Sequence, residues 1–198
     1  MRAPINDLHV SNMITYASLA AGLAAVAASG AAGRPGLAPA LLAVAALADT
    51  FDGRFAKRFT RTDRQARTGA ETDNLADAIG FGLVPVVVVG GIVPPPDGFR
   101  ALAWWSAAFL YLLAVVVRLG FFAVEADQKR FVGLPTPAAA LIWSTVLIGS
   151  PSAGACAGVF AACAAAMVWP VAIPRPRGAG LALFALWAAG LVAWHLAR

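Results

Sequence analysis

At 198 residues the chain has the length of one domain, and it is 60% hydrophobic with only 13% charged residues. Soluble domains carry about 25% charged residues, so this composition, with a mean hydropathy of +0.75, excludes an ordinary water-soluble fold. A net charge of +5 would suit a nucleic-acid binder, but the basic residues gather in short connections between apolar runs, which gives that role little support. The expectation is an all-α, polytopic membrane bundle of six to seven transmembrane helices, with residues 1–198 forming a single membrane-embedded domain.

In chain order, residues 1–10 carry Arg2, Asp7 and His9 and lack the basic stretch and cleavage pattern of a signal peptide. They read as a short amphipathic lead-in at the membrane surface. Apolar runs follow at 13–32, 37–51, 78–93, 101–124, 136–149, 153–173 and 179–197. Several approach the roughly 20 residues that cross a bilayer, and the shorter ones extend into polar flanks or cross obliquely. Their Ala, Gly, Leu and Val content suits close helix approach in lipid. The runs are continuous rather than alternating, so strands are not expected. Pro- and Gly-rich stretches at 30–39, 90–98, 149–154 and 170–180 mark the turns, and "FVGLPTP" at 131–137 is a breaker cluster before the fifth run. Cys156 and Cys163, seven apart on one helix face, read as packing residues. His195 is expected at the membrane interface.

With the N-terminus in the cytoplasm, the cytoplasmic connections hold Arg54, Lys57, Arg58, Arg61, Arg64 and Arg67, then Lys129 and Arg130 with Arg118 nearby, then Arg175 and Arg177. The opposite side holds Arg34, Arg100 and Arg198. That asymmetry obeys the positive-inside rule and places the protein in the cytoplasmic (inner) membrane. The basic residues can also attract anionic headgroups.

One stretch breaks the apolar pattern: "LADTFDGRFAKRFTRTDRQARTGAETDNLADA", residues 47–78. Asp49 and Asp52 are three apart at the end of the second run; Asp73 and Asp77 are four apart at the start of the third. Both spacings put the side chains on one helix face. Small residues continue the stripes, with Gly53 and Ala56 on one side and Gly69 and Gly80 on the other. Four carboxylates converging near low dielectric repel unless protons or cations neutralise them. Hard divalent ions with oxygen ligands (Mg²⁺, Mn²⁺ or Ca²⁺) are the natural partners, and two of them on shared carboxylates would clamp a phosphoryl group. Lys57, Arg58 and Arg64 can then reach further phosphate oxygens. A divalent-cation or proton-coupled transporter is the rival reading; such proteins place carboxylates near mid-membrane, whereas these lie at one edge.

These residues resemble the signature of the CDP-alcohol phosphotransferase family, D-x-x-D-G-x-x-A-R followed after a short gap by G-x-x-x-D-x-x-x-D. The chain matches it at Asp49, Asp52, Gly53, Ala56, Gly69, Asp73 and Asp77, with Lys57 standing where the family has arginine. "GAETDNLADAIGFGLVPV" and "FVGLPTPAAA" are similar to stretches of the family's bacterial and archaeal phosphatidylserine synthase branch. "SNMITYASLAAG", residues 11–22, is similar to that branch's opening "PN-x-x-T" segment. Where the branch has "RLARFN", this chain keeps Arg118 but not the asparagine.

The resemblance implies transfer of a phosphatidyl group from CDP-diacylglycerol to a small polar alcohol, serine foremost, in phospholipid synthesis. Glycerol phosphate, an inositol compound or another amino alcohol are the alternative acceptors. It implies two divalent cations, Mg²⁺ or Mn²⁺ with Ca²⁺ also suitable, on Asp49, Asp52, Asp73 and Asp77. Asp77 would also be the catalytic base. Gly53, Ala56, Lys57 and Gly69 would hold the CDP-lipid, with Asn12 and Thr15 as further candidates, and Arg118 the acceptor. Membrane lipids are the other partners, and the resemblance implies a homodimer.

Overall fold

In lipid no water can bond exposed backbone groups, so each apolar run closes its hydrogen bonds internally as a helix. The computed structural model describes residues 3–30, 36–124, 130–174 and 178–197. Arg2, Arg34, Lys129, Arg175, Arg177 and Arg198, read above as surface or orienting charges, lie outside the described residues. Two short 3₁₀ turns, Pro4–Asp7 and Val10–Asn12, lead into α1 (Met13–Ser29). Then come α2 (Leu37–Ala56), α3 (Asp63–Asp77), a π-helical segment (Ala78–Leu83), α4 (Val84–Ile92) and α5 (Phe99–Val124). The bundle is completed by α6 (Thr136–Val146), α7 (Ala153–Val168) and α8 (Ala179–Leu196). Four stretches are long and apolar enough to cross a membrane: Val10–Ser29, Asp63–Ile92, Phe99–Val124 and Ala179–Leu196. With α3, the π segment and α4 taken as one rod, seven long helices are described, and the chain is an integral membrane bundle.

α2 runs through the middle, packed against α1, α6 and α8. Its buried face is alanine: Ala38, Ala40, Ala43, Ala45 and Ala46 are all nearly or fully inaccessible. Alanine lets backbones approach closely, which is how helices associate in lipid without a hydrophobic driving force. A second core lies between α5 and α7, where Phe160 is ringed by Trp104, Tyr111 and Trp143 at centroid distances of 5.5, 5.3 and 4.3 Å. Cys156 and Cys163 are buried free thiols in this core, as packing residues should be.

Three features differ from the sequence reading. The third helix begins at Asp63, not near residue 78; a reciprocal capping box between Thr62 and Gln65 starts it. Asp73 and Asp77 therefore lie inside a continuous rod rather than at a helix end. His195 faces the protein rather than its surroundings: it is buried, and its Nε2 lies 2.8 Å from the Ser144 carbonyl oxygen. That carbonyl belongs to the last turn of α6, where helical carbonyls lack an intrahelical donor. Thirdly, a small antiparallel pair joins β1 (Arg130–Val132) to β2 (Ala172–Pro174), in register from Arg130 opposite Pro174 to Val132 opposite Ala172. Two connections emerge side by side beyond α5 and α7, and their backbones satisfy one another there. Gly133 closes the pair with φ +69°, and a Cβ on it would sit 2.1 Å from the Met167 carbonyl oxygen, so only glycine fits.

The π segment has a local cause. Pro85 has no N–H to offer the Phe81 carbonyl one turn earlier, so the helix widens there. Val84 N–H bonds Ile79 O instead of the usual partner. The Phe81 carbonyl accepts a 2.6 Å bond from the hydroxyl of the fully buried Tyr111 on α5. Tyr111→Phe removes that bond from the core and is expected to cost about 1–3 kcal/mol, read as a lower thermal unfolding midpoint in detergent. Adding Pro85→Ala, which supplies a backbone donor, should recover part of the loss. A loss unaffected by Pro85→Ala would disconnect the two residues.

Candidate metal centre

α2 carries Asp49 and Asp52 within its last two turns, and the rod from Asp63 to Ile92 carries Asp73 and Asp77 on the face turned toward them. Asp49, Asp73 and Asp77 each offer a carboxylate oxygen, and these atoms all lie within 4.8 Å of one another. Oxygens that share one hard cation at metal–oxygen distances of about 2.0–2.6 Å lie roughly 3–5 Å apart, so the spacing fits. Asp49 lies beside Asp77, and Asp73 lies beside Asp52 and Thr15. Asp52 is buried and stands behind the trio, its Oδ2 accepting from the Thr15 hydroxyl of α1. Among the described residues Asp73 Oδ1 is buried with no hydrogen-bond partner. An orphaned buried oxygen amid like charges is the condition that a cation relieves, and the donor set is all oxygen. The cluster can hold a divalent metal ion.

Depth follows from helix geometry. At 1.5 Å per residue, Asp77 lies about 22 Å and Asp73 about 28 Å along the rod from its far end at Ile92. Against a hydrocarbon core about 30 Å thick, the carboxylates sit near one edge of the bilayer. This edge location counts against the transporter reading, which requires a mid-membrane site.

The surrounding residues divide into those that leave space and those that bear charge. A Cβ on Gly53 would meet nothing within 4 Å, so α2 has open room there. Gly69 is the opposite: its Cβ would come 2.9 Å from Asn12 Oδ1, so a larger residue would displace the Asn12 side chain that lies there. Ala56 is buried, whereas Lys57 caps α2 in an exposed position. Arg58 is also exposed, but Arg64 is engaged elsewhere: its guanidinium grips Asp7 through bonds of 2.6–3.2 Å, leaving Lys57 and Arg58 as the open cations of that trio. Arg118 is 7% exposed on α5. Its guanidinium lies 4.7 Å over the Phe122 ring, close enough to Asp77 to feel its charge.

The sequence reading named Thr15 for the CDP-lipid but held no sign that it bonds Asp52, which lies on a different helix. One contributor escaped that reading altogether. Tyr111 anchors the turn that follows Asp77, and the available signal was Pro85, four residues after the carbonyl it leaves free.

The family model for CDP-alcohol phosphatidyltransferase matches residues 8–173. A CDP-diacylglycerol–serine O-phosphatidyltransferase of Mycobacterium bovis is 36% identical over 150 residues, covering 71% of this chain and 49% of that protein. An archaetidylserine synthase of Methanothermobacter thermautotrophicus is 30% identical over 141 residues, 71% of this chain and 59% of that protein. A CDP-diacylglycerol–serine O-phosphatidyltransferase of Helicobacter pylori is 31% identical over 144 residues, 70% of this chain and 57% of that protein. The chain thus spans about half the length of the curated relatives it matches.

Mg²⁺ or Mn²⁺ titrated into the purified protein should raise its thermal midpoint. Because ligand charge tunes cation affinity over decades, Asp73→Asn should weaken that response by about tenfold or more. Unchanged affinity in this variant would remove Asp73 from the ligand set.

Proposed function

The chain belongs to the CDP-alcohol phosphatidyltransferase family, and from that premise we propose that it transfers the phosphatidyl group of CDP-diacylglycerol to the hydroxyl of serine, giving phosphatidylserine and CMP. The observation that carries this reading is the convergence of the signature aspartates from two helices at one edge of the bundle. The names of the similar proteins favour serine over glycerol phosphate or an inositol compound. The 198 residues act as one membrane-embedded domain. Arg54, Lys57, Arg58, Arg61 and Arg67, all near the aspartate end, support an inner-membrane protein with that end facing the cytoplasm. A homodimer is the expected assembly, as the resemblance implies.

The residues divide the work. Asp49, Asp52, Asp73 and Asp77 would hold two divalent ions, Mg²⁺ or Mn²⁺, with Thr15 bonded to Asp52. When bound, these ions supply charge neutralisation at the diphosphate and at the departing CMP. Gly53 leaves room for the nucleotide beside Ala56, Gly69 seats the Asn12 side chain, and Lys57 offers a compact positive charge to the phosphates. Asn12 faces the same space across Gly69. Acyl chains stay in lipid while the diphosphate reaches the edge of the bilayer. Asp77 accepts the proton of the serine hydroxyl. The freed oxygen attacks the lipid-side phosphorus, a new P–O ester bond forms, and the bond to CMP breaks with its electron pair leaving on CMP. Arg118, buried near Asp77, pairs with the serine carboxylate and brings the hydroxyl to the base.

Purified protein given CDP-diacylglycerol, Mn²⁺ or Mg²⁺ and serine should release CMP. No CMP with any acceptor would overturn the reaction, and release with glycerol phosphate alone would overturn the acceptor. General bases contribute roughly 10²–10⁴-fold, so Asp77→Asn should cut turnover by about that much while CDP-lipid binding persists. Arg118→Lys keeps the charge and loses the bidentate fork, so the KM for serine should rise about tenfold. An unchanged serine KM would place the acceptor elsewhere.

A further inference from the structure

A polar chain at the entrance to α1 lies outside the carboxylate cluster. His9 Nδ1 is 2.9 Å from Ser11 Oγ, and Ser11 Oγ donates to Asn12 Oδ1 at 3.0 Å. Ser11 is 0% and Asn12 4% exposed, so water does not compete for these bonds. Among the described residues the Asn12 amino group is buried and has no partner. It lies where α1 meets α3: a Cβ on Gly69 would be 3.2 Å from Asn12 Nδ2. Gly69 is one turn before Asp73, and Asn12 is one turn before Thr15, which holds Asp52. The unpartnered amino group thus lies between helix segments that, one turn further on, carry Asp73 and the Thr15 that bonds Asp52.

A hydroxyl has a single proton, and that limits what this chain of atoms can do. In the first arrangement Ser11 gives its proton to Asn12 Oδ1, while His9 Nδ1 accepts the Ser11 backbone N–H at 3.2 Å and so holds Ser11 through its backbone. The Asn12 carbonyl end is then occupied, and its amino end is presented as a donor. In the reverse arrangement the Ser11 hydroxyl would turn its proton onto His9 Nδ1 instead. Asn12 would then turn its amino group back onto Ser11 and present an acceptor. Only the first arrangement suits an anion. The segment is held for this task at two points: Asp7 on Arg64, and His9 edge-on to Phe59 at 6.2 Å. Ser11 also stands where the similar segments have proline, which has no hydroxyl.

We propose that His9 and Ser11 are positioning residues that hold the Asn12 carboxamide with its amino group turned toward the diphosphate of the CDP-linked donor. The inference rests on the function proposed above, because it requires that diphosphate to lie beside Asp73. Its reach is the donor substrate, and it leaves the proton transfer at Asp77 untouched.

The test combines CDP-diacylglycerol affinity, read from thermal stabilisation in detergent with Mn²⁺, with the kinetic constants. One donor to a charged oxygen is lost in Ser11→Ala, so its Kd and KM for CDP-diacylglycerol should rise about 5- to 20-fold with kcat and serine KM unchanged. Ser11→Thr, which keeps the hydroxyl, should restore them. His9→Phe keeps the ring on Phe59 without Nδ1; it should show the same shift, and the double variant should be no worse than either alone. Equal CDP-diacylglycerol affinity in wild type and Ser11→Ala, failure of Ser11→Thr to restore it, or additive effects in the double variant would each overturn the proposal. Wild-type protein that shows no stabilisation by CDP-diacylglycerol would overturn the proposed function along with it. A wild type that binds the donor but releases no CMP would overturn only the reaction, and the affinity series would still decide the role of His9 and Ser11.

Discussion

Mutual repulsion among carboxylates is the constraint around which this bundle is arranged. Three carboxylate oxygens gathered within 4.8 Å at the edge of a low-dielectric layer are unstable alone. Apolar packing must force them together and something positive must join them. The packing is visible in α2, which is clasped by α1, α6 and α8, and in the rod that carries the other two carboxylates past it. Thr15 and Arg118 moderate the charge from opposite sides, one by a hydrogen bond to Asp52 and the other by its proximity to Asp77. A site held this way can take a hard cation, in keeping with a donor set made only of oxygen.

The break in helical pattern after Asp77 shows how a local defect serves this arrangement. Pro85 makes a regular α-helix impossible at Phe81, and the chain answers with a wider turn pinned by Tyr111. π segments inside α-helices recur at functional sites because they rotate the preceding residues relative to those that follow. Here the residues before the segment carry the carboxylates of Asp73 and Asp77, and those after it, Val84, Val88 and Val89, enter the main core. Tyr111 belongs to both regions, so the aromatic core around Phe160 is mechanically continuous with the carboxylates.

Much of this was legible in the chain. Continuous apolar runs marked every long helix, since hydropathy alone distinguishes lipid-facing sequence. The helix-face spacings of Asp49 with Asp52 and of Asp73 with Asp77 pointed to convergence because that periodicity is local. Local information also set the limits. Residues 63–77 are polar, so hydropathy placed the start of the third helix near 78, although the Thr62–Gln65 capping box was there to be read. His195 looked interfacial from its place near the end of the chain, and its partner is a backbone carbonyl about fifty residues away. The β1–β2 pair joins connections some forty residues apart and has too few residues to leave a periodic trace. Each of these depends on contacts between distant segments, which composition and spacing do not encode.

The alanine face of α2 has a consequence for how this protein can vary. Alanine has no side-chain rotamers to lose on burial, so α2 is seated at almost no entropic cost. The same feature leaves its neighbours nothing to repack. A leucine or valine at Ala43, Ala45 or Ala46, harmless by hydropathy, would act as a wedge and lift α2 together with Asp49 and Asp52. Along this helix size rather than apolar character decides what fits, at positions that carry no carboxylate as well as near those that do.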